Sequence, residues 1–274
     1  MERRAYRIAA RVLREWLQQV QDAVSGGEGG PASAENRITR EAVYRLIEEI
    51  YNAVGPAAAE REFHLVRERV RFAMKRESVL FSAGFFSRKW QELMRTLMAD
   101  KDTASRVQQI TVTTRRLIRD ALTRAATDRL DIRATARLIR EVLGGRAMRN
   151  RALLIARTET TRAANLGAQM GAESTGLVLE KVWIATGDSR TRPAHRAMLG
   201  KPPIPKDALF VVGGRKMKYP GDPAGGAANV VSCRCAVSYV PKMRNGLPVL
   251  APKPDIPQRL AAGELMQELS EETV

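Results

Sequence analysis

The feature that most limits the fold is a change of pattern near Leu177. Upstream, long stretches repeat apolar residues at helical spacing. Residues 2–24 place Tyr6, Ala9, Leu13, Trp16 and Val20 on one face and Arg4, Arg7, Arg11 and Arg14 on the opposite one. Downstream, the segments are short and bounded by Gly and Pro. Val178 and Lys181–Ile184 read as a strand, Thr191 to Leu199 as a short helix with Pro193 in its first turn, Leu209 to Tyr219 as a hairpin turning at Gly213-Gly214, and Ala236 to Val240 as a closing strand. The fold class expected is therefore α+β: a largely helical, basic N-terminal region, a small α+β motif domain and a short C-terminal tail. The expected boundaries are 1–147 for the helical region (with a loop at 25–33), 148–241 for the motif domain and 242–274 for a Pro-rich, acidic tail.

Within the helical region, Ser25 to Pro31 reads as a linker. Helices are expected near 34–54, 57–77 and 87–100, broken by Gly55-Pro56 and by Phe81 to Gly84. Another covers about 103–127. Asp131 then caps a short helix that ends at Leu143 before Gly144-Gly145, and a helix follows near 148–172. In the tail, a mildly acidic helix is expected at about 258–271.

Charge narrows the partner. The chain of 274 residues carries a net charge of +16, with 46 basic residues against 30 acidic ones. Such a balance suits a polyanionic partner. Residues 106–162 hold 14 Arg, no Lys and 5 acids. Arginines there that find no acidic neighbour are free to meet phosphate, with salt-sensitive binding. Arg115, Arg116, Arg119, Arg124, Arg146 and Arg149 are the DNA-binding candidates. The Arg stripe of the first helix has two readings, a solvated outer face and a surface for DNA or an acidic partner. No apolar run approaches the roughly 18 residues of a membrane span. The N-terminus leads into an amphipathic helix rather than a signal sequence.

The rarest side chains concentrate late in the chain. Both cysteines, Cys233 and Cys235, and one of the two histidines, His195, lie between Trp183 and Cys235. With Asp188 they make a four-ligand set of the kind zinc accepts, although C-x-C is tighter than the usual zinc spacing. The alternative is that the cysteines are small strand residues and His195 a satisfied polar group. A nucleophilic cysteine with His195 as base and Asp188 as its orienting acid is a further alternative. No nucleophile elbow, Walker loop or HExxH accompanies it. Glu159 falls on the packing face made by Ala152, Ala156, Ala163, Leu166 and Met170. It needs a partner, either Arg162 or an arginine of the later cluster such as Arg192 or Arg234.

The run W-I-A-T-G-D-S-R-T-R-P-A-H-R-A-M-L-G (183–200), then Y-P-G-D-P (219–223), then N-V-V-S-C-R-C (229–235), resembles the phage Mu F-like minor head protein domain of the phage head morphogenesis family. The segment I-A-R-T-E-T-T-R-A-A-N (155–165) resembles the helix that leads into it. The resemblance covers about 150–241. Its motif positions here are Asp188, Arg192, Pro193, His195, Gly200, Cys233 and Cys235, and Trp183, Glu159, Asp222 and Arg234 join them as structural positions. It implies a non-enzymatic minor component of a tailed-phage head, made in the host cytoplasm and resident in the virion. Such a component associates with the portal protein, has capsid or scaffold proteins as further partners, and contacts double-stranded DNA non-specifically during packaging or ejection. Some relatives carry a C-terminal toxin domain, for which the thirty or so residues after the motif domain are too few. A capsid-independent nucleic-acid-binding protein and a Cys/His-dependent enzyme are the rival expectations.

Overall fold

In the computed structural model, residues 1–26, 30–71 and 84–252 are described. Among the described residues seven helices come first: α1 (Glu2–Ser25), α2 (Gly30–Asn36), α3 (Arg40–Val70), α4 (Phe85–Ala99), α5 (Lys101–Thr127), α6 (Ile132–Leu143) and α7 (Gly145–Glu173). Strands follow: β1 (Leu179–Ile184), then short helix α8 (Pro193–Arg196), β2 (Ile204–Pro205), β3 (Phe210–Val212), β4 (Arg215–Met217), helix α9 (Gly226–Val230), β5 (Ala236–Pro241), β6 (Met243–Arg244) and β7 (Leu247–Pro248). The fold is α+β, as the change of pattern at Leu177 predicts. No helix among the described residues is long and apolar enough to cross a membrane.

Helix boundaries follow local chemistry. Thr39 caps α3 by accepting from the Ala42 amide at 3.2 Å, and Asp131 caps α6 by accepting from the Ala134 amide at 2.7 Å. The expected face of α1 is buried: Ala9, Leu13, Trp16 and Val20 all lie in the helical core. α2 begins at Gly30, inside the stretch expected as a loop at 25–33; residues 27–29 lie outside the described residues.

Two boundaries are corrected. The helix expected at 34–54 is split, since α2 ends at Asn36 and α3 starts afresh at Arg40 behind its Thr39 cap. Gly55-Pro56 does not break the chain into two helices, because α3 runs unbroken from Arg40 to Val70 with Pro56 inside it. A proline in a helix removes one backbone hydrogen bond and crowds the carbonyl four residues earlier. That carbonyl belongs to Asn52, which is exposed, so water can serve it. The opposite side of α3 is held by α7. A Cβ on Gly167 would collide with the Gly55 carbonyl, and one on Gly171 with the Ala59 carbonyl. The two helices therefore touch backbone to backbone through a stripe of small residues. This close packing keeps α3 continuous where local propensity would end it. Residues 72–77 of the expected helix 57–77, and the expected break at 81–83, lie outside the described residues.

The sheet is antiparallel in the order β2-β1-β5, with Leu179 opposite Pro241 and Ile184 opposite Ala236. The β3–β4 hairpin turns at Gly213-Gly214 as expected, with φ of 55° and 72°, the left-handed pair a two-residue hairpin needs. The start of the expected tail is ordered into a second hairpin. β6 and β7 pair through Asn245-Gly246, and Leu177 bridges to Leu250. The rest of the tail, 253–274, with the helix expected at 258–271, lies outside the described residues.

Among the described residues two apolar cores result. One fills the helical bundle around Trp16, Ile50, Tyr51, Phe63, Trp90, Ile118 and Ile155. The other lies under the sheet, around Trp183, Phe210, Met217, Val237 and Tyr239. α3 and α7 contribute to both. The end of α3 also grips β5: Glu62 accepts from the Tyr239 amide at 2.9 Å, and Arg69 donates to Ser238 Oγ at 3.0 Å and to the Tyr239 carbonyl.

Candidate metal centre

α7 is buried on two sides, and its polar side assembles the site. Thr158, Thr161, Arg162 and Asn165 recur at i, i+3, i+4 and i+7, which places them on one face. Each grips a loop. Thr158 Oγ1 accepts from the Ser232 amide at 3.0 Å, and Thr161 Oγ1 donates to the Cys233 carbonyl at 2.5 Å. Arg162 Nε donates to the Gly221 carbonyl at 2.8 Å. Asn165 Nδ2 donates to the Pro220 carbonyl at 2.8 Å, while its Oδ1 accepts from the Val237 amide at 2.8 Å. The Pro220–Asp222 turn and the Ser232–Cys235 knuckle are thus held by one helix face.

Within that frame His195, Cys233 and Cys235 come together, all buried. Pro193 at the first turn of α8 sets the helix that carries His195. His195 Nδ1 lies 3.6 Å from Cys233 Sγ and 3.4 Å from Cys235 Sγ, and the three ligand atoms lie within 4.8 Å of one another. In a tetrahedral zinc site with Zn–S near 2.3 Å and Zn–N near 2.05 Å, sulfur and nitrogen ligands stand about 3.6 Å apart. The cluster therefore fits three corners of such a site. His195 Nε2, on the far side of the ring, is buried without a hydrogen-bond partner among the described residues. A metal-bound imidazole commonly donates its second nitrogen to a partner, and here that position is served by none of the described groups. Trp183 stacks edge-on against His195 at 5.5 Å between centroids and against Phe210 at 5.4 Å. The two thiols titrate together. Cys235 is the one lowered, by its hydrogen bond with Cys233 and then by His195, whereas its bond to Cys235 and burial push Cys233 up.

Asp188, the fourth expected ligand, stands outside this group. Its carboxylate is gripped by both arms of Arg234 at 2.6 and 2.7 Å and also accepts from Thr191 Oγ1 at 3.0 Å. These donors, Arg234 first, hold the carboxyl far below its usual range. Asp188 therefore fixes the 188–191 turn to the knuckle through Arg234 rather than facing the thiols. The same geometry leaves the expected Cys–His–Asp relay unassembled, because Asp188 does not orient His195 and both thiols are buried.

The remaining motif positions make contacts or turns within the chain. Arg192 donates to the Val231 carbonyl at 2.6 Å, Gly200 takes a left-handed φ of 74°, and Asp222 accepts from the Lys218 amide at 2.6 Å and the Ala224 amide at 3.1 Å. Glu159 is corrected in its partner. It is buried at 3% exposure, accepts from Tyr51 Oη at 3.0 Å and faces Arg106 Nε at 3.5 Å. Neither Arg162 nor Arg192 nor Arg234 reaches it, because α3 and α5 lie on its side of α7. Among the arginine candidates, Arg115 donates to the Ile38 carbonyl and Arg119 is forked onto Glu35. Arg116 and Arg124 lie 3.8 Å from Asp120 and Asp128 with well-exposed side chains, and Arg146 and Arg149 are exposed. On α7 the sequence pointed to Glu159, and to Arg162 only as a partner for it; the gripping role of Arg162, and Thr158, Thr161 and Asn165 altogether, were missed, although their helical spacing was the signal.

These features define an α+β protein whose sheet is pinned by one helix face and closed by a buried His–Cys–Cys cluster. Residues 116–238, a little under half of the chain, match the family model described as Phage Mu protein F like protein, and over that span the chain is similar to that family. It is also similar to the NAD(+)--arginine ADP-ribosyltransferase EFV of Enterococcus faecalis (strain ATCC 700802 / V583), with 37% identity over 92 residues. That alignment spans 32% of this chain and only 18% of the relative. No solved structure matches the chain.

Proposed function

We propose that the protein is a minor head protein of a tailed phage, held at the portal inside the head and touching packaged DNA. The observation that carries this reading is the Mu F-like match over residues 116–238, which takes in both the pinned sheet with its cluster and much of the arginine-rich block. The role is structural. The exposed arginines of α5 and α7, Arg116, Arg124, Arg146 and Arg149, meet phosphate without reading sequence. Their contribution falls as salt rises, with a slope of about −0.9 per phosphate neutralised.

Zinc is the metal this donor set favours, since two thiolates and an imidazole are soft-to-borderline ligands. His195, Cys233 and Cys235 would hold it, and the ion would staple α8 to the knuckle before β5 with no chemistry on a substrate. Metal content of protein purified without chelator, compared between wild type and Cys233→Ser, tests this part. About one zinc per chain that is lost in the variant supports the staple, and no zinc in either removes it.

The partner reading is tested by co-purification with the cognate portal protein after nuclease digestion and a high-salt wash. Retained portal supports docking through protein surfaces, with DNA contact secondary. Portal lost, with DNA carried down at low salt, favours a capsid-independent nucleic-acid-binding protein, the reading that the net charge of +16 by itself suggests.

A further inference from the structure

A second feature lies where α5 faces α7, beside the turn and the knuckle that α7 grips. Two adjoining clefts, of about 650 and 400 Å³, separate α5, α7 and the segment 218–231, and they share Asp102, Arg106, Arg162 and Pro223. The smaller cleft is lined by three guanidinium groups, those of Arg106, Arg151 and Arg162. Their pairing is unequal. Arg106 is compensated by Glu159. Among the described residues, Arg151 and Arg162 have no carboxylate partner. Arg151 donates only to neutral oxygens, those of Ile110, Thr113 and Thr114. Arg162 is 3% exposed and donates its Nε to the Gly221 carbonyl, while its Nη1 is buried and unpartnered. Arg151 Nε is buried and unpartnered as well. The carboxylates on this cleft are Glu159, already engaged by Tyr51 and Arg106, and Asp102 in the first turn of α5.

A buried cation without a counter-ion is costly, and guanidinium cannot shed its proton to escape the cost. Two such groups lining one cleft, with free N–H donors, describe a site that lacks its anion. The donors are forked and planar, which suits a tetrahedral oxyanion better than a halide. We infer that this cleft binds a phosphate oxyanion, with Arg151 and Arg162 as the binding residues and Arg106 held in place by Glu159. The cleft is far too narrow for a DNA duplex, so its ligand is free phosphate or the phosphate of a mononucleotide. The apolar flank formed by Leu154 and Val230 leaves room for a base beside the phosphate. The site is independent of portal docking and of the exposed arginines.

The test is calorimetric titration of the full chain with inorganic phosphate at constant ionic strength, sodium chloride making up the balance, alongside thermal unfolding. One phosphate per chain and a melting point raised by about 3 °C near saturation are expected. Arg151→Met should lose the phosphate response yet melt no lower than the ligand-free wild type, since it removes an uncompensated charge. Should Arg151→Met fail to fold, Arg162→Lys serves in its place, and phosphate affinity at least tenfold weaker is expected. Deoxyadenosine monophosphate and deoxyadenosine separate the sources. Tighter binding of the nucleotide with an inert nucleoside marks a nucleotide site, and equal affinity of nucleotide and phosphate marks a free-oxyanion site. No heat and no melting shift with phosphate beyond the chloride control would overturn the inference, as would an unchanged phosphate response in both arginine variants.

Discussion

Asn165→Ala should cost this protein about 3 kcal/mol, and the reason lies in which groups lose partners. Asn165 is 3% exposed and joins three elements. Its removal strips the Val237 amide of β5 and the Pro220 carbonyl of their 2.8 Å partners. The Thr161 carbonyl, the third contact, lies in the body of α7 and keeps its helical bond. The fourth, to the Cys235 carbonyl at 3.4 Å, is long and adds little. Two buried groups are thus orphaned, at about 1–3 kcal/mol each. In a chain of this size the melting point should fall by roughly 6–10 °C. Urea unfolding gives the free energy, and amide hydrogen exchange gives the location. Exchange at Val237 should quicken more than exchange in α1, which Asn165 does not touch. Gln169→Ala, one turn along and partly exposed, is the control and should change stability by less than about 0.5 kcal/mol. A loss under 1 kcal/mol for Asn165→Ala, with Val237 exchange unaltered, would refute the claim that this helix face holds the sheet.

Three further outcomes follow from the same structure. Gly167→Ala should destabilise by about 2–3 kcal/mol, since its Cβ meets the Gly55 carbonyl; equal stability in urea would mean α3 and α7 separate freely. Lys181 is buried in β1, and burial lowers its pKa to about 8. The folded state then binds fewer protons than the unfolded one between pH 8 and about 10.4, so stability rises with pH across that window. Lys181→Met should melt above wild type at pH 7 and lose that advantage as the pH approaches 10; a constant difference across pH would contradict the assignment. For Asp188 stability also rises with pH, but the window lies in acid and the shift stabilises the charged form. Its folded pKa is depressed, so the Arg234 contact contributes above about pH 4 and fades as the pH drops further. Asp188→Asn should therefore narrow its deficit against wild type in acid, measured by thermal melts from pH 6 to pH 2.5, whereas a deficit that widens in acid would contradict it.

Much of the architecture was legible because period carries it. The apolar face of α1, the Asp131 cap and the Gly213-Gly214 hairpin follow from residue types and spacing alone. Gly55-Pro56 misled because a local breaker was overruled by tertiary contact. Only the facing Gly167 and Gly171, more than a hundred residues away, reveal that α3 must stay continuous there. The hairpin at Asn245-Gly246 had a strong local signal that the surrounding prolines obscured. In the site, the rarity of His and Cys pointed to His195, Cys233 and Cys235, and the fold unites them. Composition could not separate Asp188 from that set, because a carboxylate suits a metal and an arginine equally well. Its proximity to Arg234 is a product of strand pairing. Glu159 was marked correctly as a buried carboxylate in need of a partner, but that partner sits on α3 and α5, which no spacing within α7 can indicate.

The head role is tested most directly by quantitative mass spectrometry of phage heads purified from producing cells, with and without the gene. The account predicts the protein in those heads at a fixed ratio to the portal, retained after nuclease and high salt, and head yield or DNA filling impaired when the gene is deleted. Heads that form and fill normally without it, and that never contain it, would contradict the account.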